Sequence, residues 1–367
     1  MAGILGRLTG RKQQVKAAPA AGGRTAGSPA PRTIVPGDYG LPGRAELRTD
    51  LPVTHPALDA AVAAAKAGQW EPAAELFQEV GGDWELRYLC VTALAEQAAD
   101  DDAWLTAWRG ARPGDAAAHT VHARALVDLA WQIRSSDRAE KVGREQWEGF
   151  FRVLRQVPEA CASAAALAPE DPTPWIVHLP AAMGLQWSND EFRALWAEVQ
   201  RRAPNHVKAH LSGLSYWRPR WYGSEELMVE FVEGAIAAAP AGSLLTLLRL
   251  DMLNSEFRPE DAAELKEFWR GERVGAAVDA CLADLAAADP GHLRIGAMRS
   301  WLAFFLTRAG RHAEAVEQFR RIGTQVAAEP WTYSANGTDL FVETRATAVL
   351  GWEDAGRPEL PGAAATG

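Results

Sequence analysis

Apolar positions along this chain recur at helical spacing over most of its length. In SNDEFRALWAEVQRR, residues 188–202, Phe192, Leu195, Trp196 and Val199 fall at i, i+3, i+4 and i+7, which is one helix face. Ser188 and Glu191 supply a capping-box pattern at its start. A second stripe runs through Val274, Val278, Cys281, Leu282 and Leu285, and a third through Met298, Trp301, Leu302 and Phe305. Strand-forming Val, Ile, Thr and Tyr are sparse, so the pattern predicts an all-α fold. Residues 1–50 and 355–367 are rich in Ala, Gly, Pro and Arg and show no period beyond a weak one at Ile4–Leu8. Too apolar-poor to offset their ordering entropy, they are expected to be disordered tails around a helical domain of residues 51–354. Deleting residues 1–48 is therefore expected to leave the melting temperature almost unchanged.

The corners between helices repeat. ALAPEDPTPW, RRAPNHVKAH, AAAPAGSLLT and AAADPGHLRI each end one helix at a proline and begin another. Pro169, Pro204, Pro240 and Pro290 are spaced by 35, 36 and 50 residues. The first two intervals suit a helix–turn–helix unit, and the third leaves room for an extra helix from Pro259 to Arg270. Pro113 is an earlier corner of this type, and the charged stretch RSSDRAEKVGREQWEGFF fills the longer interval after it.

Two segments also align without a gap: AGQWEPAAELFQEVG (67–81) and AGRHAEAVEQFRRIG (309–323). Gly68, Ala73 and Phe77 of the first match Gly310, Ala315 and Phe319 of the second. Both resemble the turn and second helix of tetratricopeptide repeats. There a glycine ends the first helix, a small residue sits at the crossing, and an aromatic follows one turn later. The likeness covers residues 54–330; it is strong at the two ends and degenerate in the middle. It implies a right-handed α-solenoid of helix pairs whose concave groove holds a peptide or a partner's surface. YWRPRWYGS and EPWTYSANGTDLFVETRA are similar to stretches of an actinobacterial-type family of bacterial helical-repeat proteins, a resemblance that implies no activity.

Charge narrows the partners. The net charge is −9, yet residues 1–32 hold six basic residues and no acid, so the remainder carries −15. An acidic body lacks the basic face that phosphate neutralisation requires, which argues against nucleic acid. No run of 18 apolar residues occurs, and the N-terminal sequence fits neither a secretory signal nor myristoylation. Cys90, Cys161 and Cys281 are far apart, odd in number and set among apolar residues, as buried thiols in a reducing compartment would be. A cytoplasmic protein is expected.

The chemistry-bearing residues form no catalytic motif. GxSxG, Walker, GxGxxG, CxxC and HExxH patterns are absent. His119 and His122 stand at i, i+3 and His206 and His210 at i, i+4, a spacing that can ligate zinc. Counted from the proline corners, however, His119, Trp175 and His210 occupy one equivalent position, and His122 and His178 another, which favours packing. Asp100, Asp101 and Asp102 are consecutive and so point in different directions, as a helix-start cap does rather than a metal cluster. Asn254-Ser255-Glu256 likewise lacks metal-ligand spacing. Most of the 15 tryptophans lie on apolar stripes, so helix packing is expected of them. No metal and no cofactor is expected.

SYWRPRWYGSEELMVEF, residues 215–231, is the exception. Pro219 should end one helix near Trp217 or Arg218, and Gly223 with Ser224 should begin the next. Corner grammar does not account for two arginines bracketed by four aromatic rings, because stacked guanidinium groups can also recognise carboxylates. Trp217, Arg218, Arg220, Trp221 and Tyr222 are the candidate binding residues, for an acidic peptide or protein partner. The function expected is a non-catalytic interaction scaffold. The alternative is an enzyme or small-molecule sensor with a central pocket near His119, His178, His210 and Trp217.

Overall fold

Each apolar stripe becomes a helix, and the caps fall where side chains can accept the first free amides. The computed structural model describes residues 32–49, 55–134, 143–256 and 261–361. Among these the regular structure is helical, and the one extended pairing is an isolated parallel bridge between Arg48 and Gln325. Ser188 and Glu191 close their capping box, with the Ser188 amide donating to Glu191 Oε2 at 2.8 Å. Asp101 Oδ1 accepts the amide of Ala103 at 3.1 Å, so the aspartate run caps a helix. Phe192, Leu195, Trp196 and Val199 are all buried.

The described residues form two compact units, divided at Pro240. Residues 55–239 make the first, with α1 (Pro56–Lys66), α2 (Glu71–Val80), α3 (Trp84–Asp100), α4 (Ala103–Ala111), α5 (Ala116–Arg134) and α6 (Arg144–Leu154). It continues with α7 (Val157–Leu167), α8 (Thr173–Gly184), α9 (Asn189–Arg202), α10 (Val207–Trp217) and α11 (Glu225–Ala238). Neighbours in sequence pair, and alternate helices also pack: α1 on α3, α3 on α5, α5 on α7 and α8, and α8 on α10. Small residues permit the close crossings. Ala118, Ala123 and Ala130 of α5 are fully buried, and a side chain on Gly184 would strike Leu154 and Phe150. Arg124 of α5 donates to Asp128 Oδ1 and to Tyr88 Oη of α3, each at 2.8 Å, with both charged partners out of water. Removing one partner of such a buried pair costs about 3–5 kcal/mol; the pair lies within α5, and the bond to Tyr88 is what ties it to α3.

The second unit contains residues 32–49 and 240–361. Its helices are α12 (Leu247–Glu256), α13 (Ala262–Arg270), α14 (Glu272–Ala287), α15 (Ile295–Ala309), α16 (His312–Ile322) and α17 (Gly337–Asp354). Helix α15 packs on α12, α13, α14, α16 and α17. The corner after Pro240 is committed to this unit by Asp284 of α14. Its carboxylate accepts the Gly242 amide at 2.6 Å and the Thr246 hydroxyl at 2.8 Å. Gly242, at φ +83°, lies so close to Ala287 that a side chain would overlap its carbonyl. The helical region expected as one domain over 51–354 is therefore two bodies. The corner that counted as one more repeat boundary is the boundary between them. The helix expected from Pro259 begins at Ala262, after an Asp261 cap.

Residues 32–49, without a local period, make contacts with residues far away in sequence. Leu41 is buried, and Arg345, itself 1% exposed, donates to the Pro42 carbonyl at 2.8 Å. Arg320 donates to the Tyr39 carbonyl at 2.9 Å, and Tyr39 Oη to Glu353 at 2.9 Å. Arg32 pairs with Glu353 and Asp354, and Arg44 with Asp339. Arg48 donates to Thr324 and accepts from Val326. Likewise the C-terminal tail folds back as far as Leu360, which is buried, with Trp352 Nε1 donating to the Pro358 carbonyl. Both segments are ordered by partners far away in sequence, which a local period cannot reveal. The other parts of the expected tails, residues 1–31, 50 and 362–367, lie outside the described residues, as do 51–54 and 135–142.

The two aligned segments share one conformation. Gly68 and Gly310 both take φ +81°, and Gly81 and Gly323 take φ +52° and +62°. Ala73 and Ala315 are fully buried, and Phe77 and Phe319 are buried beside them. Phe77→Ala or Phe319→Ala should each cost roughly 3–5 kcal/mol in denaturant unfolding. A loss under about 1 kcal/mol for both would contradict the shared register. Removing residues 1–49 should speed amide exchange in α16 and α17 and leave α3 and α5 unchanged. Unaltered protection in α16 and α17 would show that this segment contributes nothing to the second unit.

Candidate functional site

The corner at residues 215–224 is built from the end of α10. Pro219 forces Arg218 out of helical geometry, to φ −67° and ψ 143°, and the helix stops at Trp217. The Trp221 amide then donates to the Arg218 carbonyl at 2.8 Å, and the Tyr222 amide to the Tyr216 carbonyl at 3.2 Å. Gly223 lies directly against the Trp217 backbone, where any side chain would overlap the Trp217 carbonyl. Ser224 accepts the Leu227 amide at 3.2 Å and starts α11.

Burial separates the five candidate residues. Trp217 is 5% exposed, stacked edge-on against Phe192 and Tyr216, with the Arg193 guanidinium 5.2 Å above its ring. Arg218 is 4% exposed. Tyr216, which was only part of the motif, is the hub. Its ring lies parallel to Phe192, its hydroxyl donates to the Trp187 carbonyl at 2.7 Å, and burial pushes its pKa up to about 12. Arg220 is exposed, whereas Trp221 and Tyr222 are half-buried with ring centroids 6.3 Å apart. The part of the corner that a partner can reach is therefore Arg220, Trp221 and Tyr222. Trp217 and Arg218 belong to its packed base, because the Pro219 turn folds them under the following residues.

Two open hollows lie elsewhere in the first unit. One, of about 790 Å³, is lined by Arg144, Trp147, Glu148, Phe151, Arg152 and Arg155 of α6 and its C-cap. Sequence reading passed over these residues as part of a charged stretch. Trp147, Phe150, Phe151 and Leu154 fall at i, i+3, i+4 and i+7, and Trp147 and Phe151 are the half-buried edge of that stripe. The other, of about 480 Å³, includes Phe77, Arg87, Arg112 and Asp115. Here Arg87 bonds Asp171 at 2.6 Å and lies over Phe77, and Trp108 Nε1 donates to Asp115 at 3.0 Å. These polar groups are engaged in holding α2, α3 and the start of α5.

The histidines are packed. His206 Nδ1 accepts the Ala209 amide at 3.1 Å, so its Nε2 carries the proton and donates to the Trp84 carbonyl. His210 is 1% exposed, against Trp196, and His178 lies edge-on to Trp187. Burial lowers His122, His178 and His210 each to about 4. Among the described residues no group of three or more His, Cys, Asp or Glu side chains is placed to hold a metal. Cys90, Cys161 and Cys281 are buried free thiols, and burial raises the pKa of each. No described helix is long and apolar enough to cross a membrane. Compared with family models, curated proteins and solved structures, the chain matches none of them.

These histidines predict a pH dependence. Unfolded histidine titrates near 6.5 and the three folded ones near 4, so between those values the unfolded chain binds more protons. Their contribution to stability is complete above about pH 6.5 and is lost as pH falls towards 4. All three lie in residues 55–239. The melting temperature of that unit should fall between pH 7 and pH 5, and His210→Gln should flatten the slope. A slope identical in the variant would show that His210 takes up its proton equally in both states.

Proposed function

We propose that the chain is a non-catalytic interaction scaffold, a right-handed α-solenoid of tetratricopeptide-like helix pairs with degenerate central repeats, serving a protein or peptide partner of acidic character. Support for the repeat reading comes from the packing of α1 on α3, α3 on α5 and α5 on α7, and from the matching turns at Gly68 and Gly310. Support for a binding role comes from one observation above all: the exposed Arg220 beside the half-buried rings of Trp221 and Tyr222. An exposed guanidinium can meet a carboxylate with two parallel hydrogen bonds, and neighbouring rings offer it apolar contact. The buried free thiols fit a reducing, cytoplasmic setting.

The enzyme or sensor reading draws less support. His178, His210 and Trp217 are packed against rings, and the two hollows are open and lie away from them. The corner separates the roles of its arginines in a way that can be measured. Arg218→Ala should lower the melting temperature, because the side chain is buried. Arg220→Glu should change the unfolding free energy by less than about 1 kcal/mol and reduce partner capture from a bacterial lysate, quantified by mass spectrometry per folded molecule. Unchanged capture by Arg220→Glu would remove the corner from the binding surface.

A further inference from the structure

Helix α6 has two aromatic faces. On the inner one Phe150, Val153 and Leu154 are buried, with Phe150 edge-on to Trp131 at 5.1 Å. On the outer one Trp147 and Phe151 remain half-buried, stacked with ring centroids 5.7 Å apart, and they floor the open depression of about 790 Å³. The two stacked rings give this helix edge one continuous aromatic patch that meets solvent.

The charges around this pair are unbalanced. Arg144 is engaged with Glu148 at 2.8 Å. Arg152 and Arg155 are exposed, with Arg155 lying 5.7 Å over the Phe151 ring, and neither meets a carboxylate among the described residues. Behind the outer face is Arg134, 4% exposed, held between Trp131 at 5.2 Å and Trp147 at 5.1 Å. Its Nη1 makes no hydrogen bond, and no described carboxylate neutralises it. A buried guanidinium against a ring that floors the hollow gives that ring a positive field that solvent screens poorly.

We infer that the outer face of α6 is a docking surface for an acidic amphipathic segment of another protein, with its apolar side chains on Trp147 and Phe151 and its carboxylates on Arg152 and Arg155. Charge complementarity carries the choice of occupant. The body of the chain is strongly acidic, which opposes the approach of a polyanionic nucleic acid or an anionic bilayer. A short segment with few carboxylates answers mainly to the local field, within a Debye length of about 8 Å. The inference uses residues distinct from the Arg220 corner and holds whether or not the helices form a solenoid.

The test is fluorescence anisotropy with a fluorescein-labelled helical peptide bearing Leu and Phe at i, i+3, i+4 and i+7 and Glu elsewhere. The full chain should bind it saturably, and more weakly when Gln replaces Glu. The double variant R152E/R155E, at exposed positions, should keep its melting temperature and weaken binding by about tenfold or more. Trp147→Ala should weaken it as well. Absence of saturable binding by the parent chain, or equal binding by R152E/R155E, would overturn the inference. So would loss of binding through Arg220→Glu alone, which places the peptide at the corner instead. Phosphatidylserine vesicles or a single-stranded oligonucleotide that bind the parent more tightly than the peptide, and lose binding in R152E/R155E, would also overturn it.

Discussion

Guanidinium groups lying on aromatic rings hold many of the helix corners together. Arg87 of α3 lies over Phe77 of α2, Arg112 over Trp70, Arg193 of α9 over Trp217 of α10, and Arg202 of α9 over Trp175 of α8. In the second unit Arg308 covers Phe304 and Trp269, and Arg320 of α16 covers Trp352 of α17. Each contact is worth about 0.5–2 kcal/mol depending on how dry it is. It also lets a tryptophan too large to be wholly enclosed keep one face covered. Helices with many small residues leave gaps at their ends, and a flat cation on a flat ring closes them without needing the corner to be long.

The same pairing accounts for what is exposed. Where a stacked arginine also has a carboxylate, as Arg87 has Asp171, the group is structural. On α6 Trp147 and Phe151 are half-buried, and Arg152 and Arg155 have no such partner among the described residues, so that pairing is left to be completed from outside. A missing carboxylate alone does not mark a surface, since Arg308 covers Phe304 with none among the described residues; the open hollow beside Trp147 and Phe151 is what sets α6 apart. The motif at residues 216–222 divides by burial: Trp217 and Arg218 are buried, while Arg220 is exposed and Trp221 and Tyr222 are half-buried.

Much of the fold was legible in the sequence because helices are local. The stripe of Phe192, Leu195, Trp196 and Val199, the Ser188 cap, the stop at Pro219 and the equivalence of Phe77 with Phe319 all depend on residues within a few turns. What was not legible depends on distance. Residues 32–49 lack a period, yet Leu41 is buried and Arg345 reaches the Pro42 carbonyl across some 300 positions. Pro240 looked like its fellow corners until Asp284 claimed the loop after it. The site was half legible for the same reason. Composition marked the corner, but only packing shows which arginine is buried. Trp147 and Phe151 share helical spacing with Phe150 and Leu154, and only packing shows that they stay half-buried while the other two are enclosed.

The claim that exposed and buried arginines differ in role is tested most directly by labelling them. Phenylglyoxal modification of the native chain, mapped by mass spectrometry, reads the accessibility of each guanidinium. The account predicts rapid labelling of Arg152, Arg155 and Arg220, and little at Arg134, Arg218 and Arg345. Addition of the acidic amphipathic peptide should protect Arg152 and Arg155. Labelling of Arg134 and Arg218 as fast as Arg152, or no protection at Arg152 and Arg155, would contradict it.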